Sequence, residues 1–385
     1  MFIYIALYTF LLICSFADVS KCSQKNKLIL LTFLVLIFVL FRGLRWETGT
    51  DWEQFEYCFN HADWDNITNY DRYGNGRERM ESGYMLLNCI IKIFGNYTLF
   101  LLVTNLFIVG SWAKLSYKLV PSKPIMTFAM IMVSNLIFPV RLQLAAGIFC
   151  WSIYYLLEKK FLACTIVTII ACSIHKSAII VSLILPFLSL QIKSYAAIIL
   201  IILSLLGNTI ADMLSLAVLG FAVLINPLLP DLATNLVVYS DVEKSGYTEI
   251  SLLSQIISFL FSIILLLSFL YTRHIIAKSS LDFTNKKKLM LKVNIFMNCY
   301  IIFTFFLKFF QIPSLANFQR VAEFFTTGYA VSFMLSYNYL KYKISSKILF
   351  AFYIILYLYK LKGLLNTSYP ELFYPYISIF DSIKR

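Results

Sequence analysis

Of the 385 residues, 60% are hydrophobic and only 14% are charged, and the mean hydropathy of +0.77 lies far above that of a water-soluble domain. The net charge of +13 would point to nucleic acid in a soluble protein. Here the lysines sit in short loops between apolar runs, where the positive-inside rule places them, so no nucleic-acid partner is expected. The eight cysteines lie mostly within apolar runs, without CxxC or Cys/His ligand spacing, and read as small core residues with no metal site.

Apolar runs of about 14 to 22 residues recur along the chain, each near the length that crosses a hydrocarbon core of roughly 30 Å as a helix. They do not alternate in polarity, which excludes a membrane barrel. The first run, "MFIYIALYTFLLICSFAD", lacks a basic start and a small-residue cleavage pattern, and another run follows at once, so it is read as a first span. Lysine clusters then mark every second loop: 21 to 27, 114 to 123, 159 and 160, 193, 273 to 288, and 341 to 347. With these loops in the cytoplasm, the chain is an all-α polytopic inner-membrane bundle of about twelve transmembrane helices. Spans are expected near 2 to 18, 28 to 44, 95 to 113, 124 to 140, 142 to 157, 161 to 174, 177 to 191, 195 to 212, 250 to 271, 290 to 311, 321 to 340 and 347 to 363. Residues 84 to 95 and 213 to 225 read as short surface helices or half-spans. The whole chain, 1 to 385, is one integral-membrane domain with long extracytoplasmic loops at about 45 to 83 and 226 to 249, after the second and the eighth span.

Arginine breaks the pattern that lysine keeps. Of nine arginines, Arg42, Arg45, Arg72, Arg77, Arg79, Arg141 and Arg320 fall on the outer side, Arg273 is cytoplasmic and Arg385 ends the sequence. A guanidinium held against the topology rule needs an internal carboxylate or a phosphate ligand, and its planar paired donors suit phosphate. Arg42 and Arg45 in "FRGLRWETGTDW" have two readings: an ion pair with Glu47 and Asp51 that pins the loop, or a ligand contact. Arg141 stands between two spans with almost no loop, and Arg320 has Glu323 three residues on as an internal partner. His175, in "CSIHKSAII", sits at a tight outer connection and could exchange a proton with a hydroxyl, or could simply cap a helix. Glu81 lies in the same layer, where a helix N-terminal acid is the plain alternative. No Walker loop, GxGxxG, HExxH or GxSxG occurs, so soluble nucleotide, metalloprotease and hydrolase chemistries have no support and no cofactor is expected. An outer layer of Arg, Asp, Glu and His without a nucleotide site points to an energised, membrane-bound substrate such as a lipid-linked pyrophosphate.

"FRGLRWETGTDWEQFEYCF", "ESGYMLL", "RLQLAAGIFCWSIYYLLEKK", "IHKSAII" and "QRVAEFF", in this order, resemble the successive motifs of the EpsG-type family of bacterial polysaccharide polymerases, which includes Wzy-type O-antigen polymerases. Gly49 keeps the family's glycine two before Asp51, while the "GLRWE" insert carries an extra Arg45, so either Arg42 or Arg45 could hold the family's arginine position. The resemblance implies a multi-pass glycosyltransferase of the bacterial inner membrane. It would join undecaprenyl-pyrophosphate-linked oligosaccharide repeat units, as donor and as acceptor, on the periplasmic face in polysaccharide (lipopolysaccharide) biosynthesis. The lipid bilayer surrounds it, and a chain-length regulator and a flippase are partners of that pathway. On this reading Arg141 and Arg320 stabilise the leaving pyrophosphate, with Arg42 or Arg45 as a third contact or as the binder of the acceptor's pyrophosphate. His175 and Asp51 are the candidate bases for the acceptor hydroxyl, His175 being preferred because an arginine partner would make Asp51 a poor base. Tyr57, Trp46 and Trp52 are candidate sugar-stacking surfaces, belt residues being the alternative. The competing classes are a transporter or flippase and a ligase of lipid-linked oligosaccharides.

Overall fold

The computed structural model describes residues 1–72, 79–207, 211–227, 252–311, 318–366 and 370–382. Its helices are α1 (Phe2–Ser15), α2 (Gln24–Gly43), α3 (Trp52–Asn60), α4 (Ser82–Lys92), α5 (Tyr97–Leu119), α6 (Pro124–Ser134), α7 (Val140–Leu157), α8 (Phe161–Ile174) and α9 (Ser177–Ile184). They continue with α10 (Ser194–Leu203), α11 (Ala211–Ile225), α12 (Leu252–Lys278), α13 (Phe283–Phe309), α14 (Arg320–Glu323), α15 (Thr326–Leu340), α16 (Ser346–Leu365), α17 (Pro370–Phe373) and α18 (Ile379–Ser382). Among the described residues there is no β-strand, in keeping with the all-α expectation. Starts follow from local chemistry: Ser23 accepts the Asn26 N–H (3.2 Å) ahead of α2, Asn96 accepts the Leu99 N–H (3.1 Å) ahead of α5, and Pro124 opens α6.

Six helices, α2, α5, α7, α12, α13 and α16, are long and apolar enough to cross a membrane. The core is formed instead by two shorter ones. Every residue of α6 from Pro124 to Val133 is buried, as is every residue of α15 from Thr326 to Tyr337. A helix apolar on all sides is stable only when neighbours surround it, and α1, α5, α15 and α16 all pack on α6.

The expected span over 124 to 140 is therefore not one helix. α6 has 11 residues and rises only about 17 Å, roughly half of a hydrocarbon core. Asn135 to Pro139 are irregular before α7 begins. Pro139 explains the position of the break, since it has no N–H to donate and disfavours the helical region for the residue before it.

The two ends of the bundle differ in chemistry. At one end the lysine-bearing connections meet: Lys27 pairs with Asp18 (3.3 Å) and donates to the Ser122 carbonyl (2.9 Å), and Asn338 donates to the Ser122 hydroxyl (2.9 Å). At the other end the expected loop at 45 to 83 carries α3 and α4 and is covered by residues 370–382, to which the sequence reading assigned nothing. This strap is pinned by Trp46 N–H to Ile377 O (2.9 Å), Gly49 N–H to Leu372 O (2.7 Å) and Ile379 N–H to Leu44 O (2.9 Å). Gly49 has φ +103° with Phe138 against its α-carbon, so the shape of this turn needs glycine. The half-span expected at 213 to 225 is helix α11, and most of the expected loop at 226 to 249 lies outside the described residues.

α4 crosses α8 at Gly83, where a β-carbon would meet the Ser173 carbonyl oxygen at 2.8 Å. Gly110 in α5 has open space around the same position. Gly83→Ala should therefore lower thermal stability in detergent by about 1–3 kcal/mol, with Gly110→Ala neutral or slightly stabilising. Equal effects of the two substitutions would contradict this packing.

Candidate functional site

The sequence motifs converge where the ends of α3, α4, α7, α8, α9 and α14 meet. Arg141, in the first turn of α7, donates to Glu81 Oε2 at 2.6 Å, and both side chains are buried. The other Glu81 oxygen accepts the Lys176 backbone N–H at 3.0 Å, so one carboxylate ties α7 to the start of α9. Met80 Sδ lies 3.1 Å from the same Arg141 nitrogen. Phe55 of α3 serves two guanidinium groups, with Arg141 and Arg72 each 5.6 Å from its ring centre. Arg72 is fixed further by a 2.6 Å bond to Gln54 Oε1.

His175 follows α8 and is buried, with Nδ1 accepting the Ser177 N–H at 3.1 Å. This bond assigns the proton of the neutral ring to Nε2. Burial first, and then the positive fields of Arg141, Arg320, Arg72 and Lys176, hold the imidazole well below its ordinary range. His175 is thus neutral, with four cations acting on it and Glu81 linking one of them, Arg141, to the Lys176 backbone. Arg320 is exposed at the head of α14.

The expected partners of three arginines are different in the structure. Arg42 does not pair with Glu47 or Asp51: its Nε donates to Asn105 Oδ1 (2.8 Å) and Nη2 to Gln143 Oε1, inside the bundle between α5 and α7. Arg45 likewise donates to the Phe138 carbonyl (3.0 Å) and stacks 4.4 Å from that ring's centre. Both are buried because the α2 end is covered by the strap, which leaves Glu47 exposed and Asp51 half-exposed with no ion pair among the described residues. Glu323 does not take Arg320 either. As the last residue of a single-turn helix it faces inward, accepting the Leu136 N–H and facing Lys360 and Arg42.

Of the candidate ring surfaces, Trp52 is buried against Trp46 (4.9 Å between centroids) and Tyr97 (5.6 Å), so it supports the fold and offers no free face. Tyr57 is exposed and stacks on His61 at 3.9 Å. Arg72 was not singled out as a site residue because charges in a polar loop are ordinary; Phe55 and Gln54 beside it were the available signal. Arg77 lies outside the described residues. Among the described residues no three His, Cys, Asp or Glu groups are placed to hold a metal.

The arrangement can bind a multiply charged anion: the guanidinium groups offer paired donors, the Lys176 ammonium a point charge, and His175 Nε2–H a neutral donor. Removing Glu81 alone should cost about 3–5 kcal/mol, because Arg141 would remain charged and buried. The double variant Glu81→Leu/Arg141→Met should recover much of that stability. Thermal melts of both in detergent check this, and a double variant no more stable than Glu81→Leu would contradict the pair's assignment.

Neither a curated protein nor a solved structure matches this chain. The sequence model of the EpsG family matches residues 28–378, a span that holds every member of the cation cluster. The chain belongs to the EpsG family.

Proposed function

We propose that the chain is a surface-polysaccharide polymerase that transfers a growing glycan between pyrophosphate-linked lipid carriers at the arginine-bearing, periplasmic face of the inner membrane. The carrier fitting this reading is undecaprenyl pyrophosphate and the product an O-antigen or related polymer, made by a bundle of about twelve spans with lysine-rich loops in the cytoplasm. The observation that carries it is the convergence of Arg72, Arg141, Lys176 and Arg320 on His175, with Glu81 tying Arg141 to the Lys176 backbone. Family membership supports it.

In the reaction the acceptor hydroxyl oxygen forms a bond to the donor's anomeric carbon as the bond from that carbon to the pyrophosphate oxygen breaks. The pyrophosphate leaves with the bonding pair, and the hydroxyl proton passes to a base. Arg141, Arg320 and Arg72 act on the charge growing on the leaving group, where fixed donors lower the barrier most. His175 adds its Nε2–H to that anion. Its Nδ1 is already engaged by Ser177, which favours Asp51 as the proton acceptor, since among the described residues no ion pair holds the Asp51 carboxylate. Glu81 positions Arg141, Arg42 and Arg45 brace the helix ends, and Tyr57 offers a sugar-stacking face.

A flippase or ligase would also want cations in this layer, and the test separates them. In a strain lacking its own copy, Arg141→Lys and Asp51→Asn should abolish long polysaccharide ladders on gels while single-repeat molecules accumulate. For Arg141→Lys a loss of about 100- to 1,000-fold in rate is expected. Persistent long ladders in both variants would refute the polymerase site, and loss of all surface sugar would favour a flippase or ligase.

A further inference from the structure

A second cationic pocket lies between α12, α13, α15 and α16, apart from the cluster around His175. It is a small, partly open pocket with a cavity volume of about 30 Å³, and two lysines line it, Lys308 near the end of α13 and Lys360 in α16. No carboxylate lines it. Lys308 Nζ donates to the Ser258 hydroxyl at 2.6 Å. Lys360 lies over the rings of Phe303 and Tyr329, at 5.2 and 5.1 Å from their centres, and among the described residues it has no hydrogen-bond acceptor. Its nearest counter-charge is Glu323, which also faces Arg42. The Tyr329 hydroxyl, fully buried, lacks a partner as well.

Two ammonium groups sharing one pocket within a membrane helix bundle repel each other and are costly to desolvate. An anion between them reverses both penalties, and the idle Tyr329 hydroxyl supplies a neutral donor. The walls indicate how such an anion arrives. α12 and α16 are the two least buried of the six long apolar helices, with 22% and 28% of their apolar windows covered, and Leu260, Ile264, Ile355 and Leu358 point outward. That side faces lipid tails. We propose that the Lys308–Lys360 pocket is a separate anion site that takes the phosphate group of a lipid entering between α12 and α16. The site stands on its own contacts, whether or not the chain polymerises sugars.

The test uses the full chain in phosphatidylcholine nanodiscs, with a polyprenyl monophosphate as probe, the matching polyprenol and inorganic phosphate as controls, and native mass spectrometry or retained label as readout. The wild type should retain the monophosphate and release the polyprenol. Lys308→Met and Lys360→Met should each weaken retention by at least about tenfold, Lys308→Arg/Lys360→Arg should keep it, and Lys347→Met, at an exposed lysine outside both clusters, should leave it unchanged. Competition by inorganic phosphate at equal concentration would keep the anion site and assign its ligand to the free ion. Equal retention of monophosphate and polyprenol, unchanged retention in Lys308→Met and Lys360→Met, or an equal loss in Lys347→Met would overturn the proposal. The Arg variant guards against misfolding: if it too loses the lipid while its thermal melt matches wild type, the pocket is not the site.

Discussion

An irregular stretch of backbone, Asn135 to Pro139, breaks this bundle between α6 and α7 with Asn135, Ile137 and Phe138 buried, and polar groups are arranged about it. Away from water each unpaired N–H or C=O costs several kilocalories, so such a break survives only where protein groups meet it. Arg45 meets the Phe138 carbonyl, Gln143 the Leu136 carbonyl, and Glu323 the Leu136 N–H. Arg42 in turn holds Gln143. Residues from α2, α7 and α14 are thereby fixed on one five-residue segment, and α7, which starts at its end, carries Arg141 into place.

Two sets of arginines follow from this frame, with different work. Arg42 and Arg45 are interior struts, held by amides and a carbonyl. Arg72, Arg141 and Arg320 act on the buried His175, and Glu81 pairs with Arg141. Cations brought to one place repel, and an anion arriving among them relieves that repulsion, as expected of a binding site and not of a strut. The strap from Pro370 to Ser382 covers the strut layer and leaves the histidine cluster to the elements after α3.

Much of this was legible in the chain, and the reasons differ by residue. Helix positions follow from apolar runs and lysine-bearing loops, because a membrane leaves the backbone few choices. Arg141, His175 and Glu81 stood out because charge at the wrong end of a span needs a partner, and the structure brings the three together. The partners themselves were not legible. Spacing of three residues suggested Arg320 with Glu323, but α14 makes one turn and directs Glu323 inward. Closeness in sequence suggested Arg45 with Asp51, but the strap, a mixed-polarity segment with no span-like signal, covers that end and turns Arg45 toward Phe138. The break at Asn135 was hidden inside an apolar run, since hydropathy does not distinguish a helix from buried irregular chain.

The central claim is that the neutral His175 and its four cations form an anion site for a pyrophosphate. The most direct measurement is a nuclear magnetic resonance titration of the His175 ring nitrogens in the full chain, with and without a polyprenyl pyrophosphate. Without ligand the ring should stay neutral, protonated at Nε2, down to a pH well below the ordinary histidine value of about 6.5. With ligand its titration should move to higher pH, because the bound anion offsets the fields of Arg141, Arg320, Arg72 and Lys176. An ordinary titration in the free protein, or one that the ligand does not move, would contradict the account.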